Sequence, residues 1–503
     1  MDASQAMEIG NRLELFADTV MADRLEGGAS LRLHHPVPRE IVLRTDRPWE
    51  GSCCGYISVV QDAGVLRMYY KSLNLRLRAD AEGKDILEYP HPEYVAMVES
   101  ADGLHWSRPD LGLIDFDGSR RNNLVLEADD SIGFRAHGFS AFLDTNPACP
   151  AKERYKAIAA KCYVEDRSEG RLFALTSPDG IHWTVNAEPI LSGYPFDSQN
   201  LALWDAAAGC YRAYLRNDHV YCHEGREDWA RYVMTSSSPD FRTWTTPEYI
   251  ETPGSIPHHI YTSQVSAYPR APHLLVGFPT RYVERKWCPG MELLPEPGHR
   301  RRRANVNLRV GTAVTEGTLM FSRDGTRFHL WDEAFLRPGP QESRSWTYGD
   351  NYMGVGMAVT PSAREDAPPE LSFYSTESYM KHEETVFRRF SLRMDGFVSV
   401  NAPLKGGTVV TPPVTFEGGR LLLNIETSAA GSARVQLETP EGDAIAGYAL
   451  ADCHEIFGDR IEYPVAWNGH DDCSGLAGRP VRLRIALHDA DLYAFRFASR
   501  GKA

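Results

Sequence analysis

No apolar run in this chain of 503 residues approaches the roughly 18 residues needed to cross a bilayer, which excludes a helical membrane span. Positive charge is not in excess either. With 54 Lys and Arg against 68 Asp and Glu the formal net charge is −14, so neither nucleic acid nor an anionic membrane is expected as a partner. The first residues, MDASQAMEIGNRLELFADTV, lack the basic start and continuous apolar core of a secretory signal, and a cytoplasmic location is expected. Nine cysteines are scattered without a CxxC pair, Cys53 and Cys54 being adjacent. Reduced, buried thiols are therefore expected rather than disulfides or a zinc site. There is no EF-hand or zinc-finger signature, so no metal ligand is assigned and no cofactor is required; a channel cation is permitted but not expected. Long polar tracts are missing as well, and 42% hydrophobic residues describe a chain that folds around a sizeable core.

What the chain has is a repeat. SADGLHW (Ser100 to Trp106), SPDGIHW (Ser177 to Trp183), SPDFRTW (Ser238 to Trp244) and SRDGTRF (Ser322 to Phe328) each place Asp two residues and an aromatic six residues after Ser. The serines are 77, 61 and 84 residues apart, too irregular for a solenoid but suited to a propeller with loops of unequal length. MDGF at Met394 to Phe397 is a weaker fifth copy. Asp-Gly accepts the positive φ of a tight hairpin, and the flanking residues alternate apolar and polar as strands do.

Each turn follows a pair of apolar strands, as in YISVVQDAGVLRMYYKS or NLALWDAAAGCYRAYLRN. Five such sets predict an all-β chain: residues 36–400 as a five-bladed β-propeller and 1–35 as an N-terminal segment that closes the ring and covers its edge. The alternating strands of 401–503 predict a separate C-terminal β-sandwich.

In a four-stranded meander the loops alternate between faces, so Ser-x-Asp-Gly marks the back and its aspartates hold turns. The front is built from the segments leading into each first strand and the loops after each second strand. Those segments carry Asp46, Trp49 and Glu50 in TDRPWEG, His137 in FRAHGF, Asp197, Gln199 and Asn200 in FDSQN, His259 and Tyr261 in HHIYTSQ, and Tyr348, Asp350 and Tyr352 in YGDNY. The loops after the second strands add Arg281, Glu284, Arg285 and Glu377. Acids beside aromatic rings at a propeller mouth suit a sugar site, with carboxyl groups for proton transfer and rings for stacking on sugar faces.

The repeat, the S-x-D-G-x-x-W turns and the trailing β-region resemble the five-bladed propeller glycoside hydrolases, the superfamily of invertases, levansucrases, arabinanases and β-xylosidases, with mannoside phosphorylases as relatives. The resemblance implies three acids. Asp46 or Glu50 matches the first and Asp197 the second, while the third falls to Glu284, Asp350 or Glu377. WMNDPNG, RDP and EC signatures of the invertase branch are missing, so the family within the superfamily and the stereochemical outcome stay open.

A long front-face insertion from about Arg281 to Arg309 carries Arg281, Arg285 and the run Arg300 to Arg303. The run is expected to be a solvated loop or subunit contact, and Arg281 and Arg285 to meet an anionic substrate group or phosphate. The expected activity is hydrolysis of a small oligosaccharide or glycoside. The alternatives are a phosphate-dependent phosphorylase and a non-catalytic carbohydrate-binding propeller, with lyase or sialidase chemistry open and self-association undetermined.

Overall fold

The computed structural model describes residues 6–162, 167–223, 226–381 and 383–499. Its repeating unit is the turn seen in the sequence. Ser100 Oγ accepts the Gly103 N–H at 2.8 Å, while Asp102 Oδ1 accepts from Leu104 N at 2.8 Å and His105 N at 2.9 Å. Ser177 and Asp179 repeat this pattern around Gly180, and Ser322 and Asp324 around Gly325. Gly103 sits at φ +75°, where a Cβ would be strained. Phe241 takes the same left-handed position at φ +64° in the third copy.

These turns join strands three and four of antiparallel meanders. Blade one is Gly55–Asp62, Val65–Ser72, Tyr94–Ser100 and Leu124–Leu126. Blade two starts with His137–Leu143, Tyr155–Lys161 and Arg171–Ser177, and blade three with Leu201–Asp205, Cys210–His223 and Arg226–Ser238. Blade four contains Ser266–Tyr268, Ala271–Gly277, Thr280–Glu284, Ala313–Ser322 and His329–Leu336; blade five begins with Ala358–Thr360, Glu370–Glu377 and Val386–Arg393.

Tyrosine hydroxyls stitch one blade to the next. Tyr69 of blade one donates to the Gly180 carbonyl of blade two at 2.7 Å, Tyr214 of blade three to Gly325 of blade four at 2.9 Å, and Tyr374 of blade five to Gly103 of blade one at 2.7 Å. Between blades four and five Tyr268 donates to Asp395. Where Phe241 replaces glycine, Phe142 packs on its ring at 5.8 Å.

Ring closure differs from the expectation. The strand that completes blade five is Val37–Arg44, paired with Val386–Arg393 and pinned by Arg389 to Glu40 at 2.6 Å. Strands before it turn away: Met7–Gly10 pairs Val414–Phe416, Arg24–Gly27 pairs Gly407–Val410, and Ser30–Leu33 pairs Val398–Ala402. Both chain ends thus build the second body. Its long strands Arg420–Glu438 and Arg482–Ala498 pair along nearly their whole length, with a register break between Thr427 and Ser432, over a core containing Trp467 and the stacked Phe416 and Phe497. A cluster of Phe278, Phe335, Phe373 and Phe397 with Leu13, Leu15 and Ala494 joins this body to blades four and five.

Replacing Tyr374 with Phe keeps the ring but removes one of the two donors to the Gly103 carbonyl, Trp106 Nε1 remaining at 3.2 Å. The expected cost is about 0.5–1.5 kcal/mol in urea denaturation, with unchanged circular dichroism.

Candidate active site

The front face is organised by strained backbone and by amides. Tyr56, Gly138, Gln264 and Asn351, leading into four first strands, adopt φ of +52°, +65°, +48° and +60°. Such residues persist only where their surroundings hold them, and they gather at functional sites. Here buried glutamines supply the hold. Gln199 Nε2 donates to the carbonyls of Tyr56 (2.9 Å) and Phe139 (3.2 Å); Gln264 Nε2 donates to Gln199 Oε1 (2.8 Å) and the Met353 carbonyl (2.7 Å). All five blades are tied by this one network. Gln199 and Asn200, expected to touch substrate, are spent on backbone: Asn200 donates to Phe196 O and Ser198 O and accepts from Arg216 N.

Above this network lies a cavity of about 370 Å³. Blade one supplies Tyr56, Lys71 and Glu93, blade four Tyr261, and blade five Tyr348 and Tyr379. Tyr352 packs behind, parallel to Tyr56 at 6.5 Å and near-parallel to Tyr261 at 5.3 Å. Tyr261 and Tyr348 share a hydroxyl hydrogen bond of 3.1 Å, and Lys71 Nζ donates to Tyr379 at 2.7 Å while lying 4.8 Å over the Tyr56 ring. Burial raises the phenols of Tyr261, Tyr352 and Tyr379 well above the usual value, so they stay protonated. Burial opposes the Lys71 charge, but Cys53, Glu93 and Tyr348 outweigh it and hold Lys71 above the usual ammonium range. Arg309 lies 5.9 Å over Tyr348, and Arg231 4.5 Å over Tyr282.

Beside the cavity a charged cluster forms around His137, which is only 2% exposed. Its Nδ1 lies 3.0 Å from Glu93. Donor atoms of His137, Cys162 and Asp197 all fall within 4.8 Å of one another. Desolvation works against both charges of the Glu93–His137 pair. At His137 it is outweighed by Cys162 and then Glu93, and at Glu93 by His137 and then Lys71: His137 moves up and Glu93 down. Asp197 reaches Tyr261 and Arg216 electrostatically. Of the expected residues, then, Asp197, His137, Tyr261, Tyr348 and Tyr352 are brought together.

The other acids lie elsewhere. Glu50 is fully buried, clamped by Arg108 at 2.8 and 2.9 Å and by the Tyr70 hydroxyl at 2.5 Å. Asp46 is half exposed against Arg47 and Arg108, and Trp49 packs on Phe116 with its N–H on Asn123. Glu377 pairs with Arg388 at 2.7 Å and lines a different cavity with His35 and Phe335. Glu284 is exposed, 3.7 Å from Arg231. Asp350 is buried behind the tyrosines, accepting from Thr347 N and Tyr379 N at 3.1 Å. Arg281 is spent on Glu316 at 2.7 Å, Arg285 is exposed, and His259 accepts from Arg231 N at 3.1 Å.

The arginine run is helical rather than a loop, and only Arg301 and Arg302 of it are exposed. Pro297–Val306 is a helix, and the three-residue spacing turns Arg300 and Arg303 inward to 2% and 1% exposure. Arg300 donates to the Trp346 carbonyl and Arg303 to Thr347 Oγ1 at 2.9 Å, propping the loop that carries Tyr348. Sequence reasoning missed Glu93, Tyr56, Cys162 and Tyr379. Glu93 was within reach, since PHPEY opens the third strand of blade one on the front face.

The fold is a five-bladed propeller with a tyrosine-lined front funnel. No protein-family model and no curated protein matches the chain. Solved structures do. An N-acetylgalactosamine deacetylase from F. plautii, solved with blood group B trisaccharide, is 12% identical with a TM-score of 0.41, covering 73% of this chain and 94% of that one. A structure described under the mannoside phosphorylase family that contains glycoside hydrolases targeting β-1,2 mannosidic linkages in Candida mannan is 13% identical at TM-score 0.41, covering 71% and 94%. A putative glycoside hydrolase from Bacteroides ovatus is 12% identical at 0.41, covering 71% and 97%. Similarity at this level leaves the chemistry to the site itself.

Two outcomes separate structural acids from reactive ones. Glu50→Ala strands the Arg108 charge and costs about 3–5 kcal/mol by urea denaturation. Burial pushes Asp350 up to about 8, above its unfolded value, so the folded state holds a proton that the unfolded chain releases. Stability then falls as pH rises between about 4 and the folded value, by up to ~1.4 kcal/mol per unit. Asp350→Asn removes that slope, and its deficit relative to the unmodified chain shrinks from pH 5 to pH 8.

Proposed function

We infer that this chain is a carbohydrate-active enzyme that cleaves a glycosidic bond in the tyrosine-lined funnel, with water as acceptor. One observation carries the inference: Asp197 from the lead-in to blade three and Glu93 from blade one converge on His137 beside a cavity walled by aromatic rings. Rings of this kind stack on the apolar faces of a sugar while their hydroxyls meet its hydroxyl groups. Glycosidic cleavage needs acidic groups that move protons and stabilise a developing cation. Asp197 with the Glu93–His137 pair supplies that set, and Glu50, Glu284, Asp350 and Glu377 do not enter it.

A second reading has its own support. Lys71 is buried in the cavity with its charge held, and Arg309 stands over Tyr348. Fixed cations there suit an anionic acceptor or an acidic sugar, so phosphorolysis is the alternative.

Aryl pyranosides and furanosides, neutral and acidic, assayed with and without inorganic phosphate, test both. Turnover without phosphate that falls about 10²-fold or more in Asp197→Asn, with unchanged unfolding, supports hydrolysis. Product appearing only as a sugar phosphate transfers the site to phosphorolysis. Sugar binding with no turnover in any arm overturns the enzymatic reading.

A further inference from the structure

The geometry points to a binding site for one thiophilic divalent cation, of the zinc class, held by His137, Cys162 and Asp197. The three side chains come from different places: the first residue of blade two, the position after that blade's second strand, and the lead-in to blade three. Their donor atoms nevertheless lie within 4.8 Å of one another. A zinc ion takes sulfur at about 2.3 Å, and imidazole nitrogen or carboxylate oxygen at about 2.0–2.2 Å, which places tetrahedral ligands about 3.3–3.7 Å apart. A small contraction of this cluster reaches that spacing.

Four features mark the cluster as built rather than incidental. The ligand set joins one thiolate, one imidazole and one carboxylate, a mixture suited to zinc and unsuited to magnesium or calcium, which take oxygen ligands. Glu93 holds Nδ1 of His137 at 3.0 Å and so orients the ring, the carboxylate support usual behind ligating histidines. His137 and Cys162 are 2% and 4% exposed, so neither is a surface group that meets metals by chance. Finally, Gly138 has φ +65°, and a Cβ there would stand 2.6 Å from the Ser198 carbonyl. Only glycine lets the Asp197 loop close over His137, and the buried Gln199 locks the loop there.

Three protein ligands leave the fourth position of a tetrahedral ion free, as in catalytic rather than structural zinc sites. The oxygen that fills it is water or a substrate hydroxyl or acid group. The site rests on the glycosidic reading above and changes the part its acids play, Asp197 serving as a ligand and Glu93 as the group that orients one. Metal content is measured apart from turnover, so either can fail alone.

The test uses the full chain, stripped with a chelator and titrated with Zn²⁺, then with Co²⁺ as a spectroscopic reporter. Expected are one Zn²⁺ per chain retained through gel filtration, and a Co²⁺ complex with a thiolate-to-metal charge-transfer band. Cys162→Ser abolishes the band and weakens Zn²⁺ binding at least ~100-fold, Glu93→Gln weakens it by about 10- to 100-fold, and Cys53→Ser changes neither. Absence of a thiolate band in the unmodified chain overturns the proposal without recourse to any variant. So does equal Zn²⁺ affinity in the unmodified chain and Cys162→Ser.

Discussion

The propeller depends on a hydrogen bond between a tyrosine hydroxyl and the carbonyl of a turn in the next blade. A blade alone is a small twisted sheet with two open faces, and what orients it is the blade beside it. The Ser-x-Asp-Gly turn uses its side chains to satisfy its own N–H groups, which leaves the glycine carbonyl facing outward. Tyr69, Tyr214 and Tyr374 donate to it across three junctions, and Tyr268 reaches Asp395 across a fourth. At Gly103 and Gly180 the turn's own tryptophan N–H takes a second place on the carbonyl at 3.2 Å, and the tyrosine makes the shorter bond, which ties the turn to the next blade. The lone departure supports this, since Phe241 brings a phenyl contact with Phe142 where the glycine is gone.

With the back face fixed in this way, the front can carry strain. Left-handed residues at Tyr56, Gln264 and Asn351 are costly for non-glycine side chains, and they sit where first strands begin. The amides of Gln199 and Gln264 gather carbonyls from neighbouring blades and hold these conformations. Closure of the ring by Val37–Arg44 and the helix that inserts Arg300 and Arg303 under Trp346 and Thr347 complete the frame from outside. Rigidity is thus imported to the funnel from structures that never touch its contents.

This division explains what could be read from the sequence. The blades were legible because a turn motif is local: its serine, aspartate and aromatic lie within seven residues, and copies align by eye. The face assignment followed from strand counting and directed attention to FDSQN and YGDNY. Which front-face acid is free was not legible, because that depends on partners far along the chain. Glu50 looks like Asp197 until Arg108 and Tyr70 arrive from other strands. Gln199 and Asn200 have the amides of a sugar site and spend them on backbone. The His137–Cys162–Asp197 cluster has no sequence spacing to recognise, since three elements of two blades assemble it.

The charges of the funnel make one further step possible. An acidic chain keeps cations inside: Lys71, Arg216 and Arg309 are gathered near Glu93 and Asp197. Lys71 is held charged by Cys53 and Glu93, and Glu93 is in turn held ionised by His137 and Lys71. These groups form a chain of mutual dependence in a low-dielectric space, where each charge is worth more than it would be in water. If a divalent cation binds His137 and Cys162, the protons it displaces and the carboxylate of Asp197 offset its charge. The Glu93–Lys71 end keeps its charge state. A metal can therefore enter one end of the cluster without dismantling the cationic wall that would meet an acidic sugar or phosphate at the other.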